Sequence, residues 1–409
     1  MNVAVNQRSV CRVCGRNDLS IFLEFSHIPL IDDYLTANRF GLEFLWPLTI
    51  YVCRHCQLVQ TQHDVDTTAY YKDYNYSASL SPFVQEFMRK LARMLFESYG
   101  LQHGDSVLEV GSSDGFQLEC FKDLGARVFG YEPSLGLAAV SYSRCIPVAE
   151  KLFSRDTVEL IPADLLPLKL IITENTFDHV SDSLEFLETV RRVLDPLQGL
   201  LVIEVHDLAK IIERREYCLF AHEHPVYYSV DTMRNVLKES GFKLLKTDLL
   251  PESIRRANSL LVVAAPEGAA YEPLTSAGEV VEPVITAEIY DAFGGQVEES
   301  LVRMRRFVQR ECASGRRLAG YGAGGRGIMT LAMSGIEAGE MAYICDKNHN
   351  LHGYYTSQSH IPIVPPEYVL EEWVDEVIVF SFGYLQEIME ELSEYTARGG
   401  QLISLLELL

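Results

Sequence analysis

Apolar residues recur every fourth position at Phe83, Phe87, Leu91, Leu95 and Tyr99, with Arg89, Lys90 and Arg93 between them. That spacing predicts an amphipathic helix over 83–99. Asp105 then opens an apolar run over 106–110 that reads as a strand, and an amphipathic stretch over 116–124 reads as the next helix. Further strands are predicted at 127–131, 170–173 and 200–205, with a helix over 183–194. Alternation of strand and helix implies a parallel, doubly wound sheet.

The pattern repeats towards the end of the chain. Residues 282–293 and 296–312 read as two helices, and the second ends in the basic residues Arg303, Arg305, Arg306 and Arg310, which suit a helix C-terminus. Strands follow near 316–321, at 341–345, at 377–380 and at 401–405. A second α/β unit is therefore expected.

The chain has 409 residues, and at roughly 100–200 residues per domain that length suits two or three domains. Apolar residues are 48% and charged residues 22%, which excludes global disorder. With 35 basic and 57 acidic residues the net charge is −22. Such a chain is a poor non-specific ligand for nucleic acid or an anionic membrane. No apolar run reaches the roughly 18 residues needed to span a bilayer, and the first ten residues carry no signal core. The expectation is a soluble, cytoplasmic protein.

Nine cysteines in such a chain do not suggest a disulfide framework. Four of them form two C-x-x-C pairs, Cys11/Cys14 and Cys53/Cys56. Each pair can turn two thiolates toward one ion, and two pairs complete a tetrahedral Zn2+ site. Four thiolates leave no open position, so the metal is expected to be structural. The long gap between the pairs implies an inserted hairpin. His55, inside the second pair, reads as a bystander.

Strand 106–110 runs into Gly111-Ser112-Ser113-Asp114-Gly115 and then into a helix. Glycines there let a ligand approach the backbone, and the helix start offers free N–H groups. Glu132, about twenty residues on, ends the next strand, where a carboxylate can accept from both hydroxyls of a ribose. The third strand ends at Glu174-Asn175. The second glycine turn, Gly320-Tyr321-Gly322-Ala323-Gly324-Gly325-Arg326-Gly327, could hold a phosphate through backbone N–H groups and the Arg326 guanidinium. An NAD site or a purely structural turn are the competing readings.

Between the two units lies Ala221-His222-Glu223-His224-Pro225, set among aromatic residues. In an extended segment His222 and His224 would share a face, with Glu223 turned away. A buried imidazole beside a carboxylate suits a general base. His179 lies at the same carboxyl edge of the sheet. A structural hydrogen bond is the alternative for each histidine.

Taken in order, the Cys11/Cys14/Cys53/Cys56 set, Glu109-x-Gly111-x-x-x-Gly115, Glu223-His224, the Gly320–Ala323 turn, Asp346-Lys347-Asn348 and His360-Ile361-Pro362-Ile363 resemble the nucleotide-sugar C-methyltransferases along nearly the full chain. That resemblance implies three α/β-type units: an N-terminal four-cysteine zinc-binding module (1–70), a class I methyltransferase Rossmann-like domain (71–265) and a second Rossmann-like domain that binds the sugar nucleotide (266–409). S-adenosylmethionine would lie against Glu109, Gly111, Ser112, Asp114 and Gly115, with Glu132, Pro133 and Asn175 at its ribose side. The substrate would be a dTDP- or GDP-linked 4-keto-deoxysugar, as in antibiotic and cell-surface sugar pathways. Tyr321, Gly322, Gly325, Arg326 and Asn258 would contact it.

The resemblance makes His224 the base that takes the C3 proton, with Glu223 orienting it or stabilising its charge. His179, His222 or Tyr76 would hydrogen-bond the enolate oxygen. Relatives often carry a tyrosine where Ala221 stands, a Gly-Gly-Ser-Leu-Arg stretch where 256–261 differ, and Gly-Ala-Pro-Ala-Lys where Gly322-Ala323-Gly324-Gly325-Arg326 stand. An O- or N-methyltransferase, an NAD-dependent sugar-nucleotide enzyme and a non-catalytic zinc-knuckle module remain as rivals. The chain is expected to be a monomer or homodimer, with no nucleic-acid or membrane partner.

Overall fold

A computed structural model describes residues 3–72, 74, 77–255, 258–273 and 285–409. The apolar runs of the first unit assemble side by side in a seven-stranded sheet. Val148–Ala149, Arg127–Tyr131, Ser106–Val110, Leu170–Glu174 and Leu200–His206 are parallel neighbours in that order. Ser259–Pro266 and then Phe242–Thr247 close the edge antiparallel. Such runs are unbroken because these strands are covered on both faces: Leu108, Ile171 and Leu201 pack into one buried cluster, and Val107, Ile172 and Val202 into another. The helices Pro82–Tyr99, Phe116–Asp123 and Ser183–Val193 fall where the periodicity places them.

The second sheet has five parallel strands, ordered Ile363–Val364, Ile344–Cys345, Leu318–Tyr321, Glu376–Val379, Gln401–Ser404. The strand expected over 341–345 is regular only at Ile344–Cys345, although Ala342 and Tyr343 already bond to the backbone of Leu318 and Gly320. The two helices expected before this sheet are one, Ala287–Ala313, running through Gly294-Gly295. Each glycine costs a helix about 1 kcal/mol relative to alanine. Burial of Tyr290, Phe293, Val297 and Met304 along the same face outweighs that, at about 1.5–3 kcal/mol per large side chain. A β-carbon on Gly294 would sit 3.6 Å from the Phe22 carbonyl, an ordinary contact, so the helix packs on the N-terminal unit at this point without requiring glycine.

Between the cysteine pairs the inserted hairpin is present as Leu19–Ile28 and Trp46–Cys53. Val59–Thr61 adds a third strand, and a fourth comes from far along the chain: Val226–Tyr227, just after His224, pairs with Val59 and Gln60. One buried cluster joins Leu48 and Ile50 of this hairpin, Phe220 and Tyr227 of the middle segment, and Phe293, Met329 and Ile378 of the last unit. No helix among the described residues is long and apolar enough to cross a membrane.

Candidate active site

The four cysteines converge as the spacing requires. Cys11 Sγ lies 3.5 Å from Cys56 Sγ, Cys14 Sγ lies 3.5 Å from Cys53 Sγ, and all four sulfurs fall within 4.8 Å of one another. A tetrahedron with Zn–S bonds of about 2.3 Å has edges of about 3.8 Å, so the donor set fits Zn2+ and has no open corner. This unit reaches toward the chemistry. Ile31 N–H donates to Glu223 Oε1 at 2.6 Å, the Ile28 carbonyl accepts from His222 Nε2 at 3.0 Å, and Pro225 O accepts from Thr61 N–H at 2.9 Å.

In the first glycine turn, Gly111 (φ 74°) and Gly115 (φ 78°) are left-handed. A β-carbon on Gly111 would fall 2.2 Å from Thr176 Oγ1, and one on Gly115 2.9 Å from Ser141 Oγ, so only glycine suits either place. Glu132, buried, accepts from Ser113 N–H and Ser134 N–H at 2.8 Å each. A carboxylate has about four acceptor positions, so two remain for ribose hydroxyls. Ser112 Oγ is buried and meets no partner among the described residues, whereas Asp114 accepts from Ser79 Oγ and from Arg144 Nη2 at 3.1 Å and so braces the turn. Asn175 (φ 46°) ties its N–H to Glu204 O at 2.7 Å, turning the chain at the strand end, and Pro133 sits between Glu132 and the cap residue Ser134. These features fit S-adenosylmethionine.

The second turn repeats the arrangement. Asp346 Oδ2 accepts from Ala323 N–H at 2.8 Å, as Glu132 accepts from Ser113. Gly322 (φ 98°) would drive a β-carbon to 2.0 Å from Ser381 Oγ. Tyr34 from the zinc unit donates to Ala323 O at 3.2 Å, and a β-carbon on Gly325 would meet Ile31 at 2.7 Å. Arg326 stacks on Phe382 and lies 3.9 Å from the fully buried Glu216. Tyr321 OH is bound to Glu391. Asn258 (φ 64°) accepts from Arg214 Nη1 at 2.7 Å, and its Nδ2 is buried with no partner among the described residues.

Between the turns lie the histidines. The chain turns at His222-Glu223, with Tyr227 OH bonded to both the N–H and the carbonyl of Ala221. His222 and His224 therefore do not share an extended face. Both His222 ring nitrogens are taken, Nδ1 by His63 at 2.7 Å and Nε2 by Ile28 O, and burial with His63 nearby pushes its pKa down to about 3. His224 Nδ1 donates to Leu219 O at 3.1 Å. A carbonyl only accepts, so the neutral ring keeps its proton on Nδ1 and leaves Nε2 as a base. The His224 ring packs at 4.5 Å from His179 and 5.2 Å from His206. Burial, and then His179, push its pKa down to about 3, against the pull of Asp178.

Glu223 does not orient that ring. Its carboxyl faces Ile31 N–H, its Oε2 meets no partner among the described residues, and burial raises its pKa to about 8. It is therefore a neutral acid at pH 7. Tyr71 OH meets His179 Nδ1 at 2.7 Å. Tyr76 lies outside the described residues, as do Arg256 and Ala257.

Three family models match successive stretches of the chain. Residues 11–71 match a family model described as "Putative zinc binding domain", 81–247 one described as "Methyltransferase domain", and 274–406 one described as "C-methyltransferase C-terminal domain". C-methyltransferase NovU of Streptomyces niveus is 29% identical over 399 residues, 96% of this chain and 94% of that protein. The chain is an S-adenosylmethionine-dependent C-methyltransferase. Among solved structures, the CcbJ methyltransferase of Streptomyces caelestis (14% identity, 49% of this chain, 99% of that one, TM-score 0.37) is similar to this C-methyltransferase. So is magnesium protoporphyrin IX methyltransferase of Synechocystis PCC 6803 (14% identity, 49% and 97%, TM-score 0.36).

Sequence reasoning missed three residues of the C-methyltransferase's histidine cluster. Asp178 and His206 are joined by an Oδ2–Nδ1 contact of 2.8 Å, and Tyr71 holds His179. Two of them had a signal: Asp178 precedes His179, and His206 directly follows the apolar run at a carboxyl strand end, where ligands of such sheets bind.

Proposed function

We propose that the enzyme methylates C3 of a nucleotide-linked 4-keto-deoxysugar, with His224 as the base. The observation that carries this reading is the pinned tautomer of a fully buried imidazole between two glycine turns. A carbon beside a ketone is acidic because its anion spreads onto oxygen, and a neutral His224 Nε2 is suited to take its proton. Glu223, neutral at pH 7 with a free Oε2, is the donor for the oxygen on which charge develops, and His179, engaged by Tyr71 and by the Glu223 backbone, holds that segment in place. S-adenosylmethionine, held by Gly111, Ser112, Gly115, Glu132 and Asn175, supplies a sulfonium methyl to a carbon nucleophile. Asp346, Gly322, Gly325, Arg326 and Asn258 would hold the dTDP or GDP carrier and its sugar. The working division is residues 1–70 for zinc and support, 71–265 for the methyl donor and 266–409 for the nucleotide sugar.

The test is incubation with 13C-methyl-labelled S-adenosylmethionine and dTDP-linked 4-keto-6-deoxyglucose, or its GDP-linked mannose counterpart. A product with the label on a ring carbon is expected. A label on oxygen or nitrogen would replace C-methylation of a sugar with another acceptor chemistry.

A further inference from the structure

We propose that Asp178 and His206 form a relay pair behind His224, which takes over the proton His224 abstracts and passes it to solvent; this rests on His224 being the base. Asp178 follows the strand Leu170–Glu174 and His206 ends the neighbouring strand Leu200–His206, so the parallel register brings both to one sheet edge. Asp178 is 2% exposed and His224 5%. The His206 side chain, at 22%, is the member that reaches solvent.

One polar atom from each of the three lies within 4.8 Å of the others, a gap that one water can bridge. His206 Nδ1–H is held by Asp178 Oδ2, so its Nε2 is the acceptor. Asp178 Oδ1 is buried with no hydrogen-bond partner among the described residues, which leaves a full carboxylate charge facing the imidazoles. Glu216, also fully buried, is a second carboxyl within electrostatic reach of His206. An imidazole held as low as His224 does not retain a proton at neutral pH. It has to be stabilised at once by a nearby anion and then relieved.

The step balances as follows. The C3–H bond breaks and its electron pair stays on the sugar as the enolate, while a new N–H bond forms at His224 Nε2. That proton moves to His206 Nε2, giving an imidazolium paired with Asp178, and from there to water. The enolate pair is consumed in the carbon–methyl bond, so one proton leaves per turnover. His206 and Asp178 act through His224 and are positioning residues.

The test uses His206→Gln and Asp178→Asn in the full-length zinc-loaded enzyme, with dTDP-linked 4-keto-6-deoxyglucose as substrate. Removing a relay is expected to lower kcat by about 10²-fold, at the low end for general acid–base groups, with KM and S-adenosylhomocysteine affinity within twofold of wild type. The residual rate should rise with imidazole buffer concentration, which a merely structural role would not produce. A kcat within twofold of wild type in both variants, or a loss that imidazole does not restore, overturns the relay. If Asp178→Asn does not fold, His206→Gln alone decides. A second equivalent of tightly bound metal per chain, lost in His206→Gln, would overturn it in favour of a metal centre. Wild type without C-methylation of either keto sugar nucleotide defeats the reading beneath it.

Discussion

The two glycine turns share a backbone and differ in what covers them. In each, a strand ends in a left-handed glycine, and a carboxylate on the neighbouring strand accepts a turn N–H at 2.8 Å, Glu132 in the first and Asp346 in the second. The first turn is braced from within its own unit, by Asp114 with Ser79 ahead of the first long helix and Arg144 at the end of another helix. The second is roofed by the zinc unit, through Tyr34 and Ile31. The same loop of the zinc unit also holds Glu223. The zinc unit thus touches the second turn and the chemistry directly, through the loop that carries Ile31 and Tyr34, whereas it meets the first unit through a shared core in which Cys11, Cys53 and Leu58 cluster with Leu108 and Val110.

The largest expected effect lies between the turns. His224→Ala should lower kcat by about 10²–10⁴, while S-adenosylhomocysteine binding, measured by calorimetry, stays unchanged. Next, Glu132→Ala should weaken S-adenosylhomocysteine by about 10- to 100-fold, the loss expected for hydrogen bonds to a charged group, and leave dTDP and GDP binding alone. Asp346→Ala should show the reverse selectivity. Equal losses of both ligands in either variant would break the distinction between the turns.

Chelating the zinc should lower kcat by roughly tenfold or more, because metal binding supplies folding energy to the loop that holds Glu223. The affinity for S-adenosylhomocysteine should shift far less. Loss of cofactor binding in step with zinc would mean the first turn depends on that unit after all.

Activity should also fall as pH rises through about 8, where Glu223 loses its proton. In the unfolded chain this carboxyl titrates in its usual range, so the folded form binds an extra proton between the two values. Wild-type stability should therefore drop relative to Glu223→Gln as pH rises through that window. Thermal melts of the two at several pH values test the sign. The smallest effect is expected at Arg326. Arg326→Met should raise KM for the nucleotide sugar by about three- to tenfold, the loss of one charge-assisted contact.

The sheet strands were legible because buried parallel strands leave unbroken apolar runs bounded by glycine and acidic residues, as at 106–110 and 127–131. The cysteine pairs were legible because C-x-x-C spacing encodes its own geometry. Gly294-Gly295 misled because helix propensity is local, and the aromatic face packed on Phe22 that overrides it is not. The histidine segment was legible as chemistry but not as geometry. His222 finds His63 159 residues away, and Asp178 finds His206 across two strands, so no spacing within the segment announces either contact.

The most direct measurement is solvent deuterium exchange at C3 of dTDP-linked 4-keto-6-deoxyglucose, or its GDP-linked counterpart, with S-adenosylhomocysteine bound so that no methyl transfer intervenes. Mass spectrometry should show exchange with wild type and at least about 100-fold slower exchange with His224→Ala. Exchange at the wild-type rate in His224→Ala, or none with wild type on either substrate, would contradict the assignment of His224 as the base.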